Sequence, residues 1–192
     1  MNKLVNLLVG VLVGLGGCSI KCPPKDNLLV GFSGIPFSGS IENFVKDVGE
    51  KIDSGILTTD NSLENYRKFL GCANDKKNID VLGYSQGCTS AILYCQRLNE
   101  KGIDVDNLFL IDPTFTRNSI EDWFKIPNNI DSIKVYRNLD DKDDYCRGHS
   151  LDIGNFQDPN TFKRYSEERV SGTHWQMPSS SDLKERIVKE IE

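Results

Sequence analysis

The sequence predicts an α/β protein: a three-layer α/β/α sandwich built on a mostly parallel sheet. Three observations predict it. Short apolar runs that close on Gly, Ser or Asp alternate with amphipathic stretches of helical period, which is how strands covered on both faces by crossover helices read. The chain has 192 residues, enough for one domain of ordinary size to bury a core. Its composition, 38% apolar and 27% charged, is that of a folded domain rather than a disordered one.

The elements follow in order. "NLLVGFSG" (27 to 34) is a short apolar strand, and "SIENFVKDVGEKI" (40 to 52) places Ile41, Phe44, Val45, Val48 and Ile52 on one helical face. "SLENYRKFLGC" (62 to 72) is a second amphipathic helix, and "NIDVLGYS" (78 to 85) is a buried strand. Cys88, Ala91, Ile92, Cys95 and Leu98 then recur at helical spacing. "NLFLID" (107 to 112) is a third strand, "SIEDWFKI" (119 to 126) a short helix and "SIKVYRN" (132 to 138) a fourth strand. From Leu139 to Thr173 the chain is polar and irregular, with room for a strand or hairpin around "FKRYSEERV". "SDLKERIVKEIE" closes the chain as a helix capped by Ser181 or Asp182. In such a sheet function gathers at the carboxyl ends of the strands, which here carry Ser33, Ser85, Asp112 and the aspartates from Asp140 to Asp144.

The first 17 residues have one lysine followed by the apolar run "LVNLLVGVLVGLGG". That run is short for a bilayer span and fits the hydrophobic part of a secretory signal, so export is expected. "LGGC" (Leu15 to Cys18) resembles a bacterial lipobox, which implies a lipidated Cys18 at a membrane surface; an ordinary cleaved signal and a short uncleaved anchor are the alternatives. Residues 18–26 then form a linker, and 27–192 the domain.

A formal charge of -5 with no basic run leaves nothing to neutralise a line of phosphates, so nucleic acid is not an expected partner. Export permits disulfides. With Cys18 lipidated, five cysteines remain and at least one is unpaired. Cys88 and Cys95 lie seven apart on one helix, too far to bond each other, and read as core. Cys22 and Cys72 could meet if the first strand and the strand from 78 are neighbours. No close cysteine pair is matched with histidines at ligand spacing, so no metal is expected.

Gly83-Tyr84-Ser85-Gln86-Gly87 fits G-x-S-x-G, the strand–turn–helix elbow that lifts a nucleophilic serine above a sheet. The bare pattern occurs by chance in roughly one chain in fifteen of this length. Here a buried strand ends at its first glycine and an amphipathic helix starts at its second, which is the context the elbow needs. A serine hydroxyl needs a base, and the chain has two histidines. His174, in a loop before the last helix, is the expected base, with His149 the alternative. The carboxylate that holds the imidazole in one tautomer is expected at Asp143, with Asp141 next and Asp112 third, since Pro113 points to a turn-forming role for its neighbour. Two oxyanion donors are required: the Gln86 N–H, and a donor from "GFSGIPFSG" after the first strand, Ser33 or Phe32.

On these residues the chain resembles the α/β hydrolases, and within them it is most similar to cutinase-like serine esterases. "GYSQG" matches the usual cutinase elbow in its tyrosine and glutamine, and the domain is small and without a lid insertion. Ser33 falls where those enzymes place an oxyanion serine. Asp143, three residues before Cys146, resembles their acid, and Cys22 and Cys72 are placed like their disulfide-bonded pair. The resemblance implies a carboxylic-ester hydrolase acting through Ser85, His174 and Asp143 without cofactor or metal. Its substrate would be a small-molecule, polymer or lipid ester, with Trp123, Phe124 and Trp175 candidates for an acyl pocket. Thioesterase, lipase or acyltransferase chemistry would use the same apparatus. A non-catalytic, surface-anchored binding protein is the rival from another class.

Overall fold

The computed structural model describes residues 21–34, 39–59, 63–114, 125–138 and 164–192. Among them lies one six-stranded, all-parallel sheet of β1 (Asn27–Phe32), β2 (Gly55–Thr59), β3 (Asn78–Tyr84), β4 (Val105–Ile111), β5 (Ile130–Asn138) and β6 (Tyr165–Val170), in the order β2-β1-β3-β4-β5-β6. The helices are α1 (Gly39–Lys51), α2 (Leu63–Ala73), α3 (Gly87–Glu100) and α4 (Ser181–Ile191), with a 3₁₀ turn at His174–Ser179.

Alternation along the strands sorts the core into two layers. Leu28, Val30, Phe32, Val81, Leu108, Leu110, Ile133 and Val135 pack with Phe69 and Cys72 of α2 and with Cys88, Ala91, Ile92, Cys95 and Leu98 of α3. Leu29, Leu82, Phe109, Ile111 and Tyr136 pack on the other face with Ile41, Phe44, Val45 and Val48 of α1, Met177, and Leu183 and Ile187 of α4. This is the α/β/α sandwich that the alternating pattern predicts.

Two elements depart from the sequence reading. β2, "GILTT", is a strand that the sequence reading lacks: it has five residues, every second one only half buried, and lies at the sheet edge. The last helix is capped by Ser180, whose hydroxyl accepts from the Leu183 N–H at 3.2 Å, rather than by Ser181 or Asp182. β6 falls inside the stretch where a strand or hairpin was expected and pairs parallel to β5. Residues 119–124 of the expected short helix lie outside the described residues, and Ile126 forms an isolated bridge.

β1 and β3 are neighbours in register, Phe32 opposite Gly83. Cys22 and Cys72 are disulfide-bonded with Cα atoms 5.2 Å apart, while Cys88 and Cys95 are buried free thiols. The chain runs from β1 outward to β2 and returns to lay β3 on β1's other flank. That reversal sends the connections after β1 and β3 to opposite faces, the switch point at whose carboxyl ends open α/β sheets place their sites. Ser33 and Ser85 are the residues that follow those two ends. Among the described residues no helix is long and apolar enough to cross a membrane; the apolar run 1–17 and Cys18 lie outside them.

Candidate active site

Ser85 leaves β3 with φ at +56°, in the left-handed region, a conformation that costs a non-glycine residue roughly 1–2 kcal/mol. The surrounding backbone holds it there. Ser85 N–H donates to Ile111 O at the end of β4 (2.9 Å), and Ser85 O accepts from Cys88 N–H (3.1 Å) and Thr114 N–H (3.4 Å). The flanking glycines are steric necessities. A Cβ on Gly83 would lie 2.6 Å from Cys88 Cα, and one on Gly87 would lie 2.2 Å from Phe32 O. The elbow therefore locks α3 against both β3 and β1, and the G-x-S-x-G reading of the turn is what the backbone shows.

Successive strand exits extend this lattice sideways. Just as Ser85 N–H reaches Ile111 O, Asp112 N–H reaches Tyr136 O on β5 at 2.7 Å. Asp112 is also left-handed, φ +41°. Its carboxylate accepts on Oδ2 from Asn138 Nδ2 (2.7 Å) and on Oδ1 from Asn138 N–H (3.4 Å). His174, four residues beyond β6, places Nδ1 2.7 Å from the same Oδ2. Both side chains of this pair are 3% exposed. The exits of β3, β4 and β5 and the turn after β6 thus bring Ser85, Asp112, Asn138 and His174 to one end of the sheet.

The imidazole is fixed from three sides. It stacks on the Tyr84 ring (centroids 4.9 Å, 23° between planes), and Trp175 meets it edge-on at 5.2 Å. Its backbone carbonyl accepts from Tyr84 O–H at 2.9 Å. The turn that presents it is closed by a capping box in which Thr173 N–H donates to Gln176 Oε1 at 3.0 Å. With Nδ1 facing a carboxylate, Nδ1 carries the proton and Nε2 is the basic nitrogen.

Ser85 Oγ lies 3.2 Å from Thr114 Oγ1. Gln86 is in helical conformation at the mouth of α3, with its backbone nitrogen against the loop after β1. There Gly34 passes so close that a Cβ on it would sit 2.6 Å from Gln86 N and 2.9 Å from Ser85 Cβ. Ser33 is buried, and its amide donates to Thr59 O at 3.0 Å, so an oxyanion contribution from Ser33 falls to its hydroxyl. Phe32 is inside β1, opposite both Thr59 and Gly83. The nearby Cys88 thiol is no competing nucleophile. Burial and then the Asp112 charge hold its pKa well above the usual thiol range, and it donates to Ile111 O at 3.6 Å.

The carboxylate on His174 is therefore Asp112, which the sequence ranked third. Asp143 and Asp141 lie outside the described residues, as do Asp140, Asp144, Cys146, His149, Trp123 and Phe124. Trp175 is described and 57% exposed beside the imidazole. Thr114, Asn138 and Tyr84 were not singled out as functional by sequence. Asn138 did carry a signal: it ends a strand whose neighbour is followed directly by Asp112. Among the described residues no cluster of His, Cys, Asp or Glu could hold a metal ion.

Fold and site together define an α/β-hydrolase-fold protein with a serine elbow and a buried Asp–His pair. No family profile matches the chain by sequence, and no curated protein is similar to it by sequence. Its backbone is nevertheless similar to solved structures of that fold. The thioesterase domain of NocB from the nocardicin cluster superposes with a TM-score of 0.59 at 13% identity, covering 87% of this chain and 94% of that one. An esterase of Pyrobaculum calidifontis gives 0.54 at 12% identity, covering 86% and 75%. Est1E of Butyrivibrio proteoclasticus gives 0.53 at 16% identity, covering 89% of each.

Proposed function

We propose that this protein is a serine hydrolase that cleaves carboxylic esters through an acyl-enzyme on Ser85, with His174 as base and Asp112 as the acid that orients it. The observation that carries the reading is the buried Asp112–His174 bond of 2.7 Å, with the imidazole stacked on Tyr84, the residue before a serine held at left-handed φ. Left-handed φ alone does not mark a site, since Asp53 shares it at +51°; what supports catalysis is its coincidence at the elbow with a carboxylate and an imidazole buried together. His174 Nε2 takes the Ser85 proton as Oγ attacks the acyl carbon, and the alcohol leaves with that proton. Water repeats the sequence on the acyl-enzyme. Asp112 stabilises the imidazolium in each half-reaction, and burial strengthens that attraction. Gln86 N–H and the Ser33 hydroxyl hold the oxyanion, with Gly34 leaving the Gln86 amide uncovered. No step needs a cofactor.

The cutinase-like resemblance favours ester substrates, while the NocB domain is a thioesterase and supports thioester cleavage by the same groups as the second reading. The lipobox-like "LGGC" supports an exported protein tethered at Cys18, facing lipid or polymer esters. Hydrolysis of p-nitrophenyl esters and matched acyl thioesters from two to twelve carbons, by wild type and Ser85→Ala, tests the reading. Turnover lost on Ser85→Ala supports it, and the preferred series separates esterase from thioesterase. No turnover of any member by folded wild type would leave a binding protein as the better account.

A further inference from the structure

The segment Ile111–Thr114 supplies the elbow with more than its acid. Ile111 O accepts the Ser85 N–H, Asp112 holds His174, and Thr114 returns to the nucleophile twice, with N–H to Ser85 O (3.4 Å) and Oγ1 to Ser85 Oγ (3.2 Å). Pro113 separates acid from hydroxyl and is buried, which fixes the spacing of the two. A second hydroxyl thus lies within hydrogen-bond reach of the atom that attacks and later departs, on a residue with no part in the Ser–His–Asp relay.

We propose that Thr114 is a catalytic residue of deacylation: its hydroxyl donates to Ser85 Oγ as that oxygen leaves the acyl group. This rests on the serine-hydrolase reading above and identifies which half of the cycle the residue serves. The argument is one of differential stabilisation. In the free enzyme the two hydroxyls already share a hydrogen bond, so the contact stabilises ground state and acylation transition state alike. In the acyl-enzyme Ser85 Oγ has no proton and its lone pairs are delocalised toward the acyl carbonyl, which makes it a poor acceptor. Thr114 can only donate to it, and weakly. Water then gives a proton to His174 Nε2 as its oxygen bonds to the acyl carbon. Collapse of the tetrahedral intermediate breaks the C–Oγ bond, and the electron pair passes to Oγ. The Thr114 hydrogen bond strengthens as that charge grows, until Oγ takes the proton from His174. Thr114 keeps its own proton throughout, so nothing is consumed.

A donor gained in one transition state and nearly absent from its ground state accelerates that step alone, by about 10- to 30-fold for a neutral hydroxyl aimed at developing charge. The test is stopped-flow hydrolysis of p-nitrophenyl butyrate by the full chain, with wild type, Thr114→Val and Thr114→Ser. Valine keeps the shape of threonine and removes only the hydroxyl. The expected result for Thr114→Val is a burst of about one equivalent of p-nitrophenol followed by steady turnover roughly 10- to 30-fold slower than wild type. The burst rate and the rate of labelling by a fluorophosphonate stay within about threefold of wild type, which also reports that the variant is folded. Thr114→Ser should restore steady turnover. Acylation and deacylation slowed to the same degree, or both unchanged, would overturn the proposal. A wild type that neither labels nor turns over would instead refute the hydrolase reading beneath it.

Discussion

Replacing Asp112 by Asn tests the electrostatics of the site with almost no change of shape. Oδ2 of Asp112 accepts from both His174 Nδ1 and Asn138 Nδ2, each at 2.7 Å. An asparagine oxygen at that place keeps both hydrogen bonds, and its amide nitrogen then faces Asn138 N–H at the longer contact. What is lost is the negative charge beside the imidazolium that forms when Ser85 gives up its proton. At an effective dielectric constant near 20, opposite unit charges about 3–4 Å apart attract by about 4–6 kcal/mol. That attraction is absent before proton transfer, so nearly all of it acts on the barrier, and kcat should fall about 10³- to 10⁴-fold. KM should change little, because the ground state has a neutral imidazole. Initial rates on p-nitrophenyl butyrate, with circular dichroism to confirm folding, measure this. Asp143→Asn in parallel should change kcat by less than about threefold. A folded Asp112→Asn protein that keeps more than a tenth of wild-type kcat, or an inactive Asp143→Asn protein, would refute the assignment.

Other consequences of the packing can be measured directly. Asp80, almost fully buried on β3, has its carboxyl pKa pushed up to about 6 by burial, partly offset by the hydrogen bond from Asn107. The folded state therefore holds a proton more tightly than the unfolded chain, so stability falls as pH rises from about 4 to about 6 and is level above that, a loss of at most about 3 kcal/mol. Asp80→Asn should flatten that window and raise Tm at pH 7.5; an unchanged urea midpoint across pH 4.5–7.5 in wild type would contradict it. Gly87→Ala drives a Cβ to 2.2 Å from Phe32 O, and separating β1 from α3 should cost about 3 kcal/mol or more, a Tm loss of roughly 6–12 °C. Gly71→Ala, in α2 with nothing within 4 Å of the new Cβ, should instead stabilise by about 0.5–1 kcal/mol, readable in the same melts. The Cys22–Cys72 bond closes a separation of 50 residues, so Cys22→Ser with Cys72→Ser should lower the unfolding free energy by about 4 kcal/mol in urea titrations; a loss below about 1 kcal/mol would mean that the bridge hardly restricts the unfolded chain.

Much of this architecture is readable along the chain because its signals are local. A buried apolar run reaching Gly83 and a helical period that begins at Cys88 locate the elbow in sequence, and a glycine two residues to each side of Ser85 reports a close approach before any coordinate is known. β2 escaped because five residues with one thin buried face carry little periodic signal, and β6 was only half visible because Val170 is its one fully buried residue. The carboxylate that meets His174 was harder to read for a different reason. Four aspartates crowd the loop after β5, and composition drew the choice there. What selects Asp112 is lateral: Tyr136 O takes its amide, and Asn138, 26 residues on, takes its carboxylate. Thr114 was hidden in the same way, since its partner Ser85 is 29 positions earlier. Strand exits are legible in sequence, whereas the bonds between exits depend on which strands are neighbours.

The central claim is that Ser85 is an activated nucleophile, armed by His174. It is tested most directly by labelling with a fluorophosphonate and reading the intact mass of wild type, Ser85→Ala and His174→Ala. One adduct on wild type, mapped to the peptide containing Ser85 and absent from both variants, is the predicted result. A folded wild type that takes no adduct, or an adduct that persists on Ser85→Ala, would contradict the account.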